Sequence, residues 1–254
     1  MRMKREGTHA IIQARMGSSR LPGKILKPFI GAYTPLSWII ARAQLSKYAS
    51  RVIVATSTNP KDNATEESAR AVGAEVYRGS EDDVLQRLHE AVVKFDTKVI
   101  CDVTGDDPFF DLAEMDRMVE ILQTEKMDYL NNNPTALPMG TGTQVYTRAA
   151  FDRVAREATS QYDHEHVTPY FYHHQELFAQ RTVEPLVAHP FAKEARMELD
   201  EPKDLELLIA LTAGMGFTKP EDQPTTNEIL DYLEQHPELV RINKAVVQKT
   251  FPKV

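Results

Sequence analysis

Short runs of β-branched and aliphatic residues alternate with stretches of helical period along the first half of this chain, and no other feature constrains the fold as tightly. Strands separated by helix-length crossovers assemble into a largely parallel sheet covered by helices. The strand candidates are residues 10–13, 51–56, 74–78, 98–103 and 127–130, each too short for a helix. Between the first two, Thr34-Pro35 supplies an N-cap and a first-turn proline ahead of Leu36, Ile39, Ile40 and Ala43 at helical spacing. The next crossover runs over 63–72 and closes at Gly73. Ser80 with Asp83 three residues on resembles a capping box opening a helix through Val84, Leu88, Ala91, Val92 and Phe95, and Asp111 caps another through Met115, Val119 and Leu122.

After Leu130 the rhythm breaks. Residues 131–142, including Asn133-Pro134-Thr135, are turn-rich and read as a loop lining a site, because folded-looking segments resume at once. Helices are expected over 148–158 and 163–173 and a strand over 195–199. A further helix starts at Asp200-Glu201-Pro202 and ends at Gly214, and a single amphipathic helix spans 225–239.

No apolar run approaches the roughly 20 residues of a membrane-spanning helix. The basic start Met1-Arg2-Met3-Lys4-Arg5 leads into a stretch broken by Gln13 and Arg15, so no signal peptide is expected and the protein reads as cytoplasmic. One cysteine, Cys101, allows neither an internal disulfide nor a cysteine zinc site. A net charge of -7 gives no global attraction to nucleic acid, so an anionic ligand has to meet a local basic cluster.

Such a cluster follows the first strand. In Ala14-Arg15-Met16-Gly17-Ser18-Ser19-Arg20-Leu21-Pro22-Gly23-Lys24, backbone N–H groups and three cations can converge on a polyanion such as a triphosphate. The run is neither G-x-G-x-x-G nor G-x-x-x-x-G-K-[ST], which argues against a dinucleotide oxidoreductase and a P-loop kinase. Thr104-Gly105-Asp106-Asp107-Pro108 sits where the fourth strand ends, the position at which open α/β sheets bind ligands. Carboxylates beside a phosphate site suit Mg²⁺; taken alone, the pair reads equally well as a turn before proline. Asp200 also ends a strand and begins a helix, and by itself reads as a cap.

Together these segments resemble the cytidylyltransferases that activate sugars as CMP derivatives, including the CMP-ketodeoxyoctonate and CMP-sialate synthetases. The runs 78–85, 104–108, 165–170, 199–205 and 236–243 are similar to the spore coat polysaccharide branch, so the resemblance extends through nearly the whole chain. It implies an α/β, Rossmann-like nucleotidyltransferase fold, glycosyltransferase-A-like, with a mixed, mostly parallel sheet flanked by helices. Residues 1–254 form a single nucleotidyltransferase domain on this reading, with 131–195 as acceptor and dimerisation region and 215–254 as a C-terminal helical tail. Arg15, Arg20 and Lys24 would hold the CTP phosphates beside Ala14, Met16, Gly17 and Ser18; Asp106 and Asp200 would bind Mg²⁺; Arg78, Ser80 and Asp83 would lie near the cytidine. Catalysis would rest on Arg15, Arg20, Lys24 and Asp106, with Gln144, Glu165 and His166 at the acceptor. The implied reaction moves CMP from CTP to a sugar or sugar acid and releases pyrophosphate, in a homodimer with no nucleic-acid or membrane partner. Where relatives commonly carry acidic residues, this chain has Gly142 and Gln144, so the usual acceptor does not carry over.

Other residues have plainer readings. His164 and His166 stand two apart and do not share a helix face, and the run is not H-E-x-x-H. Cys101, Trp38 and Tyr33 read as packing residues and His173-His174 as a helix end. Two competitors remain, a non-catalytic CTP-binding module and a transferase using a phosphorylated or phosphonate acceptor; Arg148 is the only basic residue in 131–148 to favour the latter.

Overall fold

The structure, a computed structural model, describes residues 5–132 and 136–248. Asn133, Pro134 and Thr135 of the expected loop, Met1 to Lys4 of the basic start, and 249–254 of the tail lie outside the described residues. Seven strands form one sheet: β1 Arg5–Gln13, β2 Ala49–Ser57, β3 Glu75–Gly79, β4 Val99–Thr104, β5 Tyr129–Asn132, β6 Gln144–Thr147 and β7 Gln180–Val183. Their order is β3-β2-β1-β4-β6-β5-β7. Only β6 runs against its neighbours β4 and β5, so the expected mixed, mostly parallel α/β sheet is what forms.

The helices are α1 Pro35–Gln44, α2 Asn63–Ala71, α3 Val84–Lys94, α4 Leu112–Thr124, α5 Arg148–Glu157, α6 Gln161–His166, α7 Pro169–His173, α8 Pro202–Met215, α9 Thr226–Gln235 and α10 Pro237–Asn243. Alternation along buried β1 divides the core: Ala10 and Ile12 pack with residues of α1, α2 and α4, while Ile11 packs with residues of α3, α5 and α7. A third cluster gathers Trp38 and Phe109 under α8 and α9. Cys101 is buried in β4, where burial pushes its thiol pKa up and keeps it inert.

Several expected boundaries moved for identifiable reasons. The fifth strand begins two residues late, at Tyr129, and β6 and β7 were not anticipated because each has four residues and β7 has two exposed positions. Asp83, not Ser80, is the N-cap of α3; it accepts from the Gln86 N–H, while the Ser80 hydroxyl accepts from the Asp83 N–H. The expected helix over 163–173 breaks at Val167, whose φ of 66° and ψ of -66° precede Thr168-Pro169. Pro169 has no N–H to donate to the Glu165 carbonyl, so one helix cannot run through it, and before Pro237 the non-helical His236 (φ -125°, ψ 65°) splits the tail into α9 and α10. α8 runs past Gly214 and ends on left-handed Gly216.

The region 195–199 is not a strand. Its backbone instead straps two loops together: Met197 N–H donates to Met139 O at 2.7 Å and Leu199 N–H to Asp106 O at 2.8 Å. Gly140 makes the strap possible, because it has φ +87° and a Cβ there would lie 2.3 Å from the backbone nitrogen of Glu198. We expect Gly140→Ala to destabilise the fold by about 2–4 kcal/mol, several degrees in Tm, whereas Gly142→Ala, with its nearest contact at 3.7 Å, stays within about 0.5 kcal/mol. Calorimetric melts of the two variants check this.

Candidate active site

From β1 the chain connects to one side through β2 and β3 and returns to β4 on the other, so the switch in strand order falls between β1 and β4. Ligands of open α/β sheets bind at the carboxyl ends of strands at such a point. A crevice of about 460 Å³ opens there. The chain crosses from β1 into it at Ala14, and β4 reaches it at Gly105, whose N–H donates to Gln13 O at 3.0 Å; a Cβ on Gly105 would lie 2.6 Å from that oxygen. Close passage of the two strand ends brings the basic run and the Asp106-Asp107 turn face to face.

The basic run is anchored from behind. Asp62 accepts the Met16 N–H at 2.7 Å and the Ser57 hydroxyl, and the Ser18 N–H is spent on Met16 O at 2.9 Å. Its cations fall into two groups. Arg15 donates to Glu81 O at 2.7 Å, and Arg87 of α3, 2% exposed, donates to the carbonyls of Ser80 and Glu81. Among the described residues no carboxylate pairs with either. Burial and the neighbouring Arg15 charge push the Arg87 guanidinium down to about 10. Two like charges bonded to carbonyls, with the charges of Asp62, Asp83 and Glu81 near but not in contact, make a place for an anion.

The other cations are spent on carboxylates. Lys24 Nζ lies 2.9 Å from Asp106 Oδ2 and 3.0 Å from Asp200 Oδ1, with the lysine only 8% exposed. Burial alone would lower its pKa, but the two carboxylates outweigh it and hold the ammonium above its ordinary value. Asp200 also receives Arg20 at 2.6 Å and Arg196 at 3.1 Å, so despite its burial its carboxyl is held below the usual range. Lys24 is thus a structural tie as well as a site cation, not an exposed surface lysine.

Asp106 and Asp200 meet around Lys24. The carboxylate oxygens that converge within 4.8 Å belong to Asp106, Asp107 and Glu198. Asp107 Oδ2 accepts from Thr104, and its Oδ1 is buried without a partner. Glu198 Oε2 lies 3.1 Å from Arg196 yet makes no hydrogen bond, so we count that contact as an ion pair of poor direction. Burial and the charges of Asp106 and Asp200 raise Glu198 to about 7, and burial with Asp106 and Glu198 raises Asp107 well above the carboxylate range. Crowded hard oxygens under mutual repulsion, Asp107 Oδ1 and Glu198 Oε2 among them without a hydrogen bond, suit a small divalent cation.

Of the remaining expected residues, Ala14, Gly17 and Ser18 line the crevice, as do Gln144, Glu165 and His166. The tight turn at Val167, where the Thr168 N–H reaches His166 O at 2.8 Å, accompanies the entry of both flanking residues into the lining. Met16 is outside it, and so are Arg78, Ser80 and Asp83. Arg78 is consumed by Ser57 O, Asn59 O, Asn63 and Glu66, and Asp83 holds His164 at 2.8 Å besides capping α3. Arg87, Asp102 and Glu198 were not singled out for these roles by the sequence, and Asp107 only as one of the carboxylate pair with Asp106. Arg87 carried only a helical signal, while a carboxylate inside the apolar run of the fourth strand was a readable sign of Asp102, which burial raises to about 6.

A second cavity, about 790 Å³, adjoins the crevice, and both are lined by Asp107, Gln144 and Gln248. Among the described residues no helix is long and apolar enough to cross a membrane.

Residues 9–236 match the family model described as cytidylyltransferase. An uncharacterised protein of Methanocaldococcus jannaschii is 33% identical over 244 residues, 96% of this chain and 97% of its own. The spore coat polysaccharide biosynthesis protein SpsF of Bacillus subtilis is 30% identical over 236 residues, 90% and 94% of the two chains. Among solved structures, a cytidylyltransferase from Leptospira borgpetersenii superposes with a TM-score of 0.85 at 27% identity, covering 96% of this chain and 99% of its own.

Glu198 gives the site a pH signature. Its folded pKa lies above its ordinary 4.5, so the stability it contributes is present below pH 4.5 and is lost as pH rises through about 7. With divalent cations chelated, the Tm advantage of Glu198→Gln over the unsubstituted protein should grow across that window and then level off. A pH-independent difference would contradict the raised pKa.

Proposed function

The chain belongs to the cytidylyltransferase family, and from that membership we propose that it transfers CMP from CTP to a hydroxyl of a sugar or sugar acid, releasing pyrophosphate, in surface polysaccharide or glycoconjugate synthesis. The observation that carries this reading is the placing, in one crevice, of Arg15 and Arg87, neither in an ion pair among the described residues, beside the converging carboxylates Asp106, Asp107 and Glu198. Anion-binding and cation-binding halves side by side are what a metal-bound triphosphate requires.

In this reading the acceptor oxygen bonds to the α-phosphorus as the bond to the bridging oxygen breaks; pyrophosphate leaves with that electron pair, and the acceptor's hydroxyl proton passes to water. Arg15 and Arg87 neutralise charge on the departing phosphates, with Arg20 and Lys24 at the edge of the carboxylate group. The Ala14 to Ser18 backbone borders the triphosphate. Mg²⁺ held by Asp106, Asp107 and Glu198, near Asp200, would supply Lewis-acid neutralisation of the reacting phosphate. Ser80 and Asp83 enter as positioning residues whose mutual hydrogen bond closes the turn carrying the Arg15 and Arg87 acceptors, and Arg78 fixes Asn59, whose side chain holds Glu81 of that turn. Gln144, Glu165 and His166 border the acceptor, and burial lowers the His166 pKa, leaving its ring neutral near pH 7. The reading takes 1–254 as one domain acting in the cytoplasm as a homodimer, with acceptor and dimer contacts in 131–195.

Pyrophosphate release with Mg²⁺ and a panel of sugars and sugar acids tests it. We expect release from CTP but not UTP, and a loss of about 10³-fold or more in kcat/KM for Asp106→Ala, the variant staying folded with a Tm lowered by the loss of one of the two Lys24 carboxylates. Near-normal turnover of Asp106→Ala at saturating Mg²⁺ would remove Asp106 from the chemistry.

A further inference from the structure

Helix α6 delivers Glu165 and His166 to the crevice, yet it has six residues and ends on a strained turn. Val167 has φ 66° and ψ -66°, and the Thr168 N–H closes onto His166 O at 2.8 Å, the form of γ-turn with positive φ. A β-branched residue avoids that backbone region, so the turn persists only where its surroundings hold it. Beyond the turn the hold is packing: Val167 is 1% exposed among core residues of α3 and α5, and Phe171 stacks on Tyr129 with ring centres 4.2 Å apart. Before the turn, Ser160 caps α6 by accepting the Asp163 N–H at 3.0 Å, but a helix this short is not stable by itself.

His164 supplies the remaining hold. Its Nδ1 lies 2.8 Å from Asp83 Oδ2 and its Nε2 lies 3.2 Å from the Ala158 carbonyl oxygen. A carboxylate and a carbonyl only accept, so both ring nitrogens have to donate, and only the imidazolium carries two N–H groups. The other oxygen of Asp83 accepts the Gln86 N–H at 2.8 Å and caps α3. One carboxylate thus joins α6 to the helix that brings Arg87 to the crevice.

The charges around the ring agree with that state. Asp83 at the head of α3 and Asp163 on α6 both favour the cation, and the bond to Asp83 raises the pKa above its ordinary 6.5 against the partial burial that lowers it. Arg87, one turn along α3, is directed at the Ser80 and Glu81 carbonyls, and on α7 the His173 ring lies against Tyr162. The end of α5 presents only the Ala158 carbonyl to the ring. With a folded pKa above the unfolded one, the doubly bonded state is complete below pH 6.5 and is lost as pH rises through the raised value. Once the proton leaves, one nitrogen turns a lone pair toward an oxygen that is itself an acceptor.

Resting on the cytidylyl-transfer reading, we propose that His164 is a positioning residue for the acceptor step: as an imidazolium between Asp83 and the Ala158 carbonyl it clamps α6 to α3, so that Glu165 and His166 keep their place beside the acceptor.

Two measurements on the full chain decide it. Nitrogen NMR follows the histidine rings through a pH titration, with His164 assigned by the signals lost in His164→Arg. Its two nitrogens are expected to be mostly protonated at pH 6.5, with a midpoint above that; a mostly neutral ring at pH 6.5 overturns the clamp. CTP-dependent pyrophosphate release, with neutral hexoses and eight- and nine-carbon sugar acids as acceptors, is then compared for His164→Gln and His164→Arg between about pH 6 and about pH 9. Near pH 6, His164→Gln should raise acceptor KM about tenfold with KM for CTP within about twofold, because misplacement falls on the acceptor side. His164→Arg, a permanent cation with several N–H groups, should stay within about twofold of the unsubstituted enzyme. Toward pH 9 the unsubstituted enzyme should approach His164→Gln while His164→Arg keeps its low acceptor KM. Should His164→Gln fail to fold, the ratio of acceptor KM in His164→Arg to that in the unsubstituted enzyme still has to fall as pH rises. A ratio that does not change with pH, or a KM for CTP that moves as far as the acceptor KM, overturns the proposal. Release with none of the acceptors, in a protein that CTP does not stabilise against heat, overturns the transfer reading instead, whereas the titration still decides the clamp.

Discussion

The Lys24 ammonium, between Asp106 and Asp200 at 2.9 and 3.0 Å, ties together three segments that lie far apart in the sequence. A buried lysine is costly unless its charge is met, and here two strand-end loops meet it. The same contact draws Asp200 toward Arg20 and Arg196, and the Leu199-to-Asp106 backbone bond keeps the 195–199 strap against the β4 turn. Glu198 is carried into place by that strap, and its crowding with Asp106 and Asp107 follows. Once Lys24, Arg20 and Arg196 are committed to carboxylates, Arg15 and Arg87 remain, among the described residues, as the arginines of the crevice in no ion pair.

Much of this was legible in the sequence because it is local. Arg15, Arg20 and Lys24 lie within ten residues of one another, after a strand, so strand-end geometry alone brings them to a ligand site. Asp106 was readable for the same reason. Capping chemistry located α1 and α4, since Thr34 and Asp111 act through neighbours three or fewer residues away.

What stayed hidden depends on contacts between distant segments. Glu198 and Arg196 sit in a stretch whose alternation suggested a strand, and only the Met139 and Asp106 backbone bonds show it to be a strap. Arg87 lies one turn into α3 and gave no signal beyond helical period. Arg78 shows the reverse error: it stands in a motif like its neighbours, yet the folded chain spends it on Ser57, Asn59, Asn63 and Glu66. Gln144 reaches the crevice from β6, which pairs antiparallel with β5 and was too short to be foreseen.

Lys24 and Asp200 are coupled through a buried contact, and a double-mutant cycle on folding stability measures that coupling directly. Denaturant unfolding of Lys24→Met and Asp200→Asn should show a loss of about 3 kcal/mol or more for each single variant, because each removes one partner of a buried ion pair and leaves the surrounding cluster out of charge balance. The double variant should lose at least about 1 kcal/mol less than the sum. Losses that add to within about 0.5 kcal/mol would mean that the two residues act independently, and Lys24 would not be the tie on which the crevice depends.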